Sequence, residues 1–254
     1  MSKRNSPEAK RAARERLRVE REKQAKKERT RRQLLVALTV VGVLVVVAGI
    51  GVAVAKLNGK DSSGDDMAVT TGGAKAEKTI DVYEDLRCPA CASFEQAMGE
   101  QLQKGADDGK YKLRVHLGSI IDDNMGGSGS KNAARALGAA KAVSTDAFTE
   151  YKHQLYSKKW HPEEQDDKFA DNAYLLKISD EVPALKDNKK FEKAVESKKY
   201  NKWAKDMIAS FNGAEIQGTP TVKIDGEQVQ PQDLPGKLKD MGVDVKTGGK
   251  EEKK

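Results

Sequence analysis

From Leu34 to Ala55 the chain carries 22 consecutive uncharged residues, and Thr39 is the only polar one among Val, Leu, Ala, Gly and Ile. As a helix this run spans about 33 Å, enough for a hydrocarbon core of about 30 Å. Soluble helices are rarely apolar on every face for so long. The pattern predicts a single transmembrane helix at 33–55. Ala53-Val54-Ala55 also reads as a small-x-small cleavage site after a signal peptide. The apolar run is longer than such peptides use and the stretch before it is long, so an uncleaved anchor is the expectation. Residues 56–77 are Gly, Ser, Asp, Thr and Lys with little else, a flexible linker.

Beyond the linker the pattern changes to that of a folded domain at 78–243. Thr79 to Tyr83 alternates as a strand. Phe94, Ala97, Met98 and Leu102 recur at helical spacing. Lys112 to Leu117 alternates again, and Gly126 to Ser130 breaks the chain. Helical segments follow at about 131–144, 147–158, 168–178, 189–197 and 200–211, a block at about 131–211. Thr221 to Ile224 and Glu227 to Val229 form a hairpin around Asp225-Gly226. Pro231 to Met241 closes with a helix, and 244–254 is a polar tail. Strand, helix, strand, helical block, hairpin and helix make an α/β layout with a helical insertion.

Charge changes the picture only when sorted by position. The 254 residues carry a net charge of +7, but residues 1–32 hold 14 Lys/Arg against 5 Asp/Glu. The remaining 222 residues are near neutral, at −2. The basic character belongs to one tail, so the domain offers no electrostatic case for nucleic acid. Arg29, Arg31 and Arg32 precede the apolar span, and Asp61, Asp65 and Asp66 follow it. The positive-inside rule therefore makes 1–32 a cytoplasmic tail and puts everything after Lys56 outside the cell membrane. The tail is read as a topology signal, with anionic lipid headgroups as its natural contact.

The two cysteines of the chain fall in one motif, Cys88-Pro89-Ala90-Cys91, between a strand and a helix. A cysteine at a helix N-terminus meets unpaired N–H groups and the positive end of the dipole, which favour thiolate over thiol. Cys88 is thus the expected nucleophile. Cys91, one turn on, is within disulfide reach and more buried, so it can attack a mixed disulfide at Cys88. A loop this short removes little unfolded-state entropy, so an inert stabilising disulfide explains the pair poorly. His116, His153 and His161 lack the paired spacing of a zinc site, and no metal or cofactor is expected. Glu84 and Asp85, just before the motif, read as solvated loop charges; if either approached the cysteines it would raise a thiol pKa and could carry a proton. Gly218-Thr219-Pro220-Thr221 places a proline where a strand begins, which suits an edge position or a cis bond.

With these residues in view, the chain resembles the thioredoxin fold. More narrowly, Ile80 to Cys91 and the Gly218-Thr219-Pro220 loop resemble the DsbA-like thiol–disulfide oxidoreductases, in the membrane-anchored form of Gram-positive actinobacteria. The resemblance covers about 78–243. It implies a thioredoxin-like fold with an inserted helical domain, Cys88 as attacking and Cys91 as resolving sulfur, and a cis Thr219–Pro220 bond beside them. Pro89, Ala90, Thr219 and Pro220 would line the substrate groove. The substrates would be exported or cell-wall proteins with thiols, re-oxidation falling to a quinone-linked membrane oxidase of the DsbB or VKOR type. Ala90 stands where well-known members carry His, which bears on oxidising power. The reading from another class is a non-catalytic thioredoxin-like module that binds exported chains or a membrane partner, its cysteine pair structural.

Overall fold

A computed structural model describes residues 67–245. The transmembrane helix expected at 33–55 and the basic tail lie outside the described residues. Among those described, no helix is long and apolar enough to cross a membrane.

Five strands form one sheet in the order β1-β3-β2-β4-β5. They are β1 (Val69–Gly72), β2 (Thr79–Asp85), β3 (Lys112–Gly118), β4 (Thr221–Ile224) and β5 (Glu227–Val229). β2 is the axis: it pairs parallel with β3 and antiparallel with β4. The parallel pair needs a crossover, which the chain supplies as helix α1 (Pro89–Phe94), a π-helical stretch (Glu95–Gly99) and α2 (Glu100–Asp107). The hairpin turns at Asp225 and Gly226, both at positive φ, as the Asp-Gly pair predicts.

After β3 come α3 (Ile120–Met125), α4 (Gly129–Lys141), α5 (Thr145–Tyr156), a 3-10 turn (Lys168–Ala170), α6 (Asn172–Ser179), α7 (Lys189–Glu196) and α8 (Asn201–Gly213). α9 (Leu234–Asp240) closes the described chain. α4 is the centre of the helical block. Ala133, Ala134, Ala136, Ala139 and Ala140 are all buried, their small side chains letting neighbouring helices approach closely, and Leu137 is buried among them. Asn188 caps α7 by accepting from Lys190 and Phe191 N–H, and Ser144 caps α5 by accepting from Ala147 N–H.

Two apolar clusters result. One joins Ile80 and Val82 of β2 to Phe94, Leu102, Tyr111, Leu234 and Leu238. The other joins the helical block to Leu86, Leu117 and both cysteines. The Cys88–Cys91 turn therefore lies where the sheet meets the insertion.

Four expectations change. Val69–Gly72, inside the stretch read as linker, is a strand that pairs antiparallel with β3. Its Val69 is buried, and Met67 N–H donates to Ser210 Oγ at 2.9 Å. Val245, placed in the polar tail, is buried against the domain. The π-helical stretch adds one residue to the turn, so Ala97 faces solvent while Glu95 and Gly99 turn inward. A Cβ at Gly99 would push the Glu95 carboxylate out of its place beside Lys152. Finally β2 runs two residues past the expected end, through Glu84 and Asp85, so these carboxylates are buried and not solvated.

Candidate active site

Cys88 is the N-cap of α1, in extended backbone, with Pro89 as the first helical residue. Proline costs nothing there, because its missing N–H would be unpaired in any case. Cys88 is 7% exposed and Cys91 0%. The cysteines thus differ in access less than expected, and the outward positions of the turn belong to the exposed Pro89 and Ala90. The Thr219–Pro220 peptide is cis. It brings the Thr219 carbonyl to 3.5 Å from Cys88 Sγ, across 131 positions of sequence, where the sulfur can donate only when protonated. Thr221 Oγ1 donates to the Gly218 carbonyl at 2.7 Å and closes that loop. The structure thus brings together Cys88, Pro89, Ala90, Cys91, Thr219 and Pro220.

The two sulfurs are electrostatically unequal. The Cys91 thiol donates to the Cys88 sulfur, which together with backbone N–H groups of Cys91 and Ala90 outweighs burial and brings Cys88 down to about 6. Cys91 moves the other way: burial, its bond to Cys88 and the charges of Cys88 and Glu84 hold its thiol well above the usual range. These opposite shifts favour the thiolate at Cys88 and the thiol at Cys91 at neutral pH.

Beneath the pair lies a charged cluster that sequence reasoning missed. Lys152 of α5 places Nζ 2.6 Å from Glu95 Oε2 and 3.5 Å from Glu84 Oε1, and all three side chains are buried. Burial pushes Glu84 up to about 7, despite the opposing charge of Lys152. Burial also works against the Glu95 carboxylate, but Lys152 and His153 outweigh it and hold Glu95 at about 2. His153 Nδ1 lies 3.6 Å from Glu95 Oε1, with its side chain 47% exposed. The charge of Glu84 acts on both sulfurs. The Tyr156 hydroxyl is buried in the same region with no hydrogen-bond partner among the described residues. Glu84 was visible beside the motif and Glu95 one turn past Cys91; nothing in the sequence marks Lys152 as their partner.

His116 is a buried sheet residue, bonded through Nε2 to Asp81 Oδ1 at 2.8 Å and stacked on Tyr83. His161 is packed near Tyr156 and Phe169.

A family model described as Thioredoxin matches residues 63–240. Among solved structures, oxidised DsbA from Mycobacterium tuberculosis is 28% identical with a TM-score of 0.59, covering 70% of this chain and 94% of its own. Reduced DsbG from the same organism is 28% identical with a TM-score of 0.59, covering 72% and 91%. Among curated proteins, the serine/threonine-protein kinase PknE of Mycobacterium tuberculosis is 26% identical over 121 residues, 46% of this chain. The match spans about a fifth, 21%, of that kinase's length. Fold and family model agree: the chain belongs to the thioredoxin family, with a fold similar to those of the mycobacterial DsbA and DsbG structures.

Proposed function

We propose that the chain is a membrane-tethered, extracytoplasmic thiol–disulfide oxidoreductase that forms or exchanges disulfides in exported proteins. The observation that carries this reading is the inequality of the two sulfurs at one helix N-terminus, with Cys88 brought down to about 6 beside a buried Cys91 thiol. A structural disulfide has no use for such a difference.

In the oxidised protein a substrate thiolate attacks Cys88 Sγ. The Cys88–Cys91 bond breaks, a mixed disulfide forms at Cys88, and Cys91 leaves as a thiolate that takes up a proton. Glu84 is suited to supply that proton, because a carboxyl held near 7 exchanges it readily at neutral pH. A second substrate thiolate then attacks the substrate sulfur and Cys88 departs as a thiolate. The substrate is oxidised and the cysteine pair reduced by two electrons. In reverse, Cys91 gives its proton to Glu84 and attacks the mixed disulfide. Stabilising the Cys88 thiolate stabilises the reduced pair, which favours oxidation of substrate. The loop at Thr219 and Pro220, with Pro89 and Ala90, forms the surface for an extended substrate segment.

The uncharged run Leu34 to Ala55 and the Arg-rich flank support a single-pass anchor with the domain outside. A compartment that preserves disulfides fits the direction of transfer. Re-oxidation falls to a quinone-linked membrane oxidase of the DsbB or VKOR type.

The test is substrate trapping. Cys91→Ser in the full chain removes the resolving thiol, so exported proteins should accumulate as adducts on Cys88 that a reductant releases. Cys88→Ser should give none. Absence of adducts with Cys91→Ser would return the reading to a binding module whose cysteines are structural.

A further inference from the structure

The basic residue immediately before the redox pair is not a surface charge. Arg87 is buried, and its guanidinium reaches across to the start of the helical block. Nη1 donates to Asp122 Oδ1 at 2.9 Å and to the Gly126 carbonyl at 2.8 Å, and lies 3.3 Å from Asp167 Oδ1. Nη2 donates to the Glu164 carbonyl at 3.0 Å.

The same two carboxylates serve the N-terminus of α4. Asp167 accepts from Ser128 and Gly129 N–H, both at 2.9 Å. Asp122 accepts from Ser130 and Lys131 N–H, both at 3.0 Å. Four successive N–H groups that a helix start leaves unpaired are thus taken by two carboxylates. Two such charges side by side need a cation, and Arg87 is that cation. Gly126 and Gly127, at φ of 78° and 97°, fold the backbone over the guanidinium. A Cβ at Gly127 would strike both Asp167 and Arg87.

The main chain of the same turn is tied to the same elements. The Asp85 carboxylate accepts from Arg87 N–H at 2.8 Å, Ser130 Oγ at 2.6 Å and Ile121 N–H at 2.9 Å. Cys88 N–H donates to the Asp85 carbonyl at 3.0 Å. The chain entering Cys88 is therefore pinned twice to the α3–α4 junction, through a carboxylate and through a guanidinium.

We propose that Arg87 is a positioning residue for Cys88: by clamping Asp122 and Asp167 it holds the Asp85–Cys88 turn so that the Cys88 sulfur stays at the N-terminus of α1. The favourable field of a helix N-terminus fades within one turn, so a cysteine turn that drifts loses it without the domain unfolding. A lysine cannot replace the clamp, because a single ammonium does not present a planar fork to four acceptors. The proposal deepens the redox reading above, but its test needs no substrate.

The experiment is a pH titration of the reduced full chain, following thiolate absorbance and the rate of alkylation at Cys88. Arg87→Gln should raise the apparent Cys88 pKa by about one unit, with Arg87→Lys between it and the parent. A one-unit rise is a tenfold weaker acid dissociation, which corresponds to a reduction potential lower by up to about 30 mV. A residue that only stabilises the fold would lower the melting temperature and leave the Cys88 titration in place; that result, in folded Arg87→Gln, overturns the proposal. If Arg87→Gln does not fold, Asp167→Asn decides, since it weakens one arm and keeps the Asp122 pair: a raised Cys88 pKa supports the clamp and an unchanged one sinks it. Failure of substrate trapping would strike the redox reading alone, because the titration is read on the isolated thiol.

Discussion

Lys152 Nζ lies 2.6 Å from the Glu95 carboxylate, and both groups are buried between the crossover helix and the insertion. The π-helical stretch turns Glu95 inward, and α5 brings Lys152 to meet it. The ion pair thus ties the crossover to the helical block.

Removing the cation leaves Glu84 buried without an opposing charge and Glu95 with only the half-exposed His153. Breaking one side of a buried pair costs about 3–5 kcal/mol, whereas removing both partners costs much less. Lys152→Met should therefore lower the stability in urea by that amount, and adding Glu95→Gln should recover part of the loss. Strictly additive losses would show that the two groups do not act as a pair.

The pH dependence of stability separates the two carboxylates. Glu84 is raised from 4.5 to about 7, so its neutral form is favoured by folding. Its contribution is fully present below pH 4.5 and is lost as pH rises through 7. The change is on the order of 3 kcal/mol. Glu95, lowered to about 2, has the opposite sign: its contribution is present above pH 4.5 and is lost as pH falls through 2. Glu84→Gln should flatten the stability profile between pH 4.5 and 7 and leave the acid limb intact. Urea melts across that range check it; an unchanged slope between pH 4.5 and 7 would count against a buried, neutral Glu84.

β1 makes its own prediction. A chain beginning at residue 78 lacks Val69–Gly72 and leaves the edge of β3 unpaired along Lys112 to Val115. It also loses the Met67–Ser210 bond and the buried Val69. Burying a valine contributes about 1.5–3 kcal/mol. The shortened chain should be less stable than one beginning at 67 by at least that much, and more prone to aggregate. Equal melting temperatures would mean that β1 is dispensable.

What the sequence made legible follows from the range of each interaction. The Asp225-Gly226 hairpin and the cysteine turn are local, written in neighbouring residues whose backbone needs are specific. β1 was not legible because Val69-Thr70-Thr71 is short and embedded in polar residues; only its pairing with β3 makes it a strand. Glu84 and Asp85 look like loop charges because their partners stand far off in sequence, at Lys152 and Ser130. The clamp on Arg87 joins Asp122 to Asp167, 45 positions apart, and no periodicity links them. The inward turn of Glu95 depends on one extra residue in a helical turn, which an apolar spacing of three and four conceals.

The sheet ends on both sides in short strands, four residues at β1 and three at β5. Long unpaired edges recruit extended chains by backbone pairing, and short ones do not. A protein proposed to handle unfolded clients is thereby spared the hazard of annealing to them. On that proposal a client would meet a thiol and a loop, with hardly any rail along which to zip.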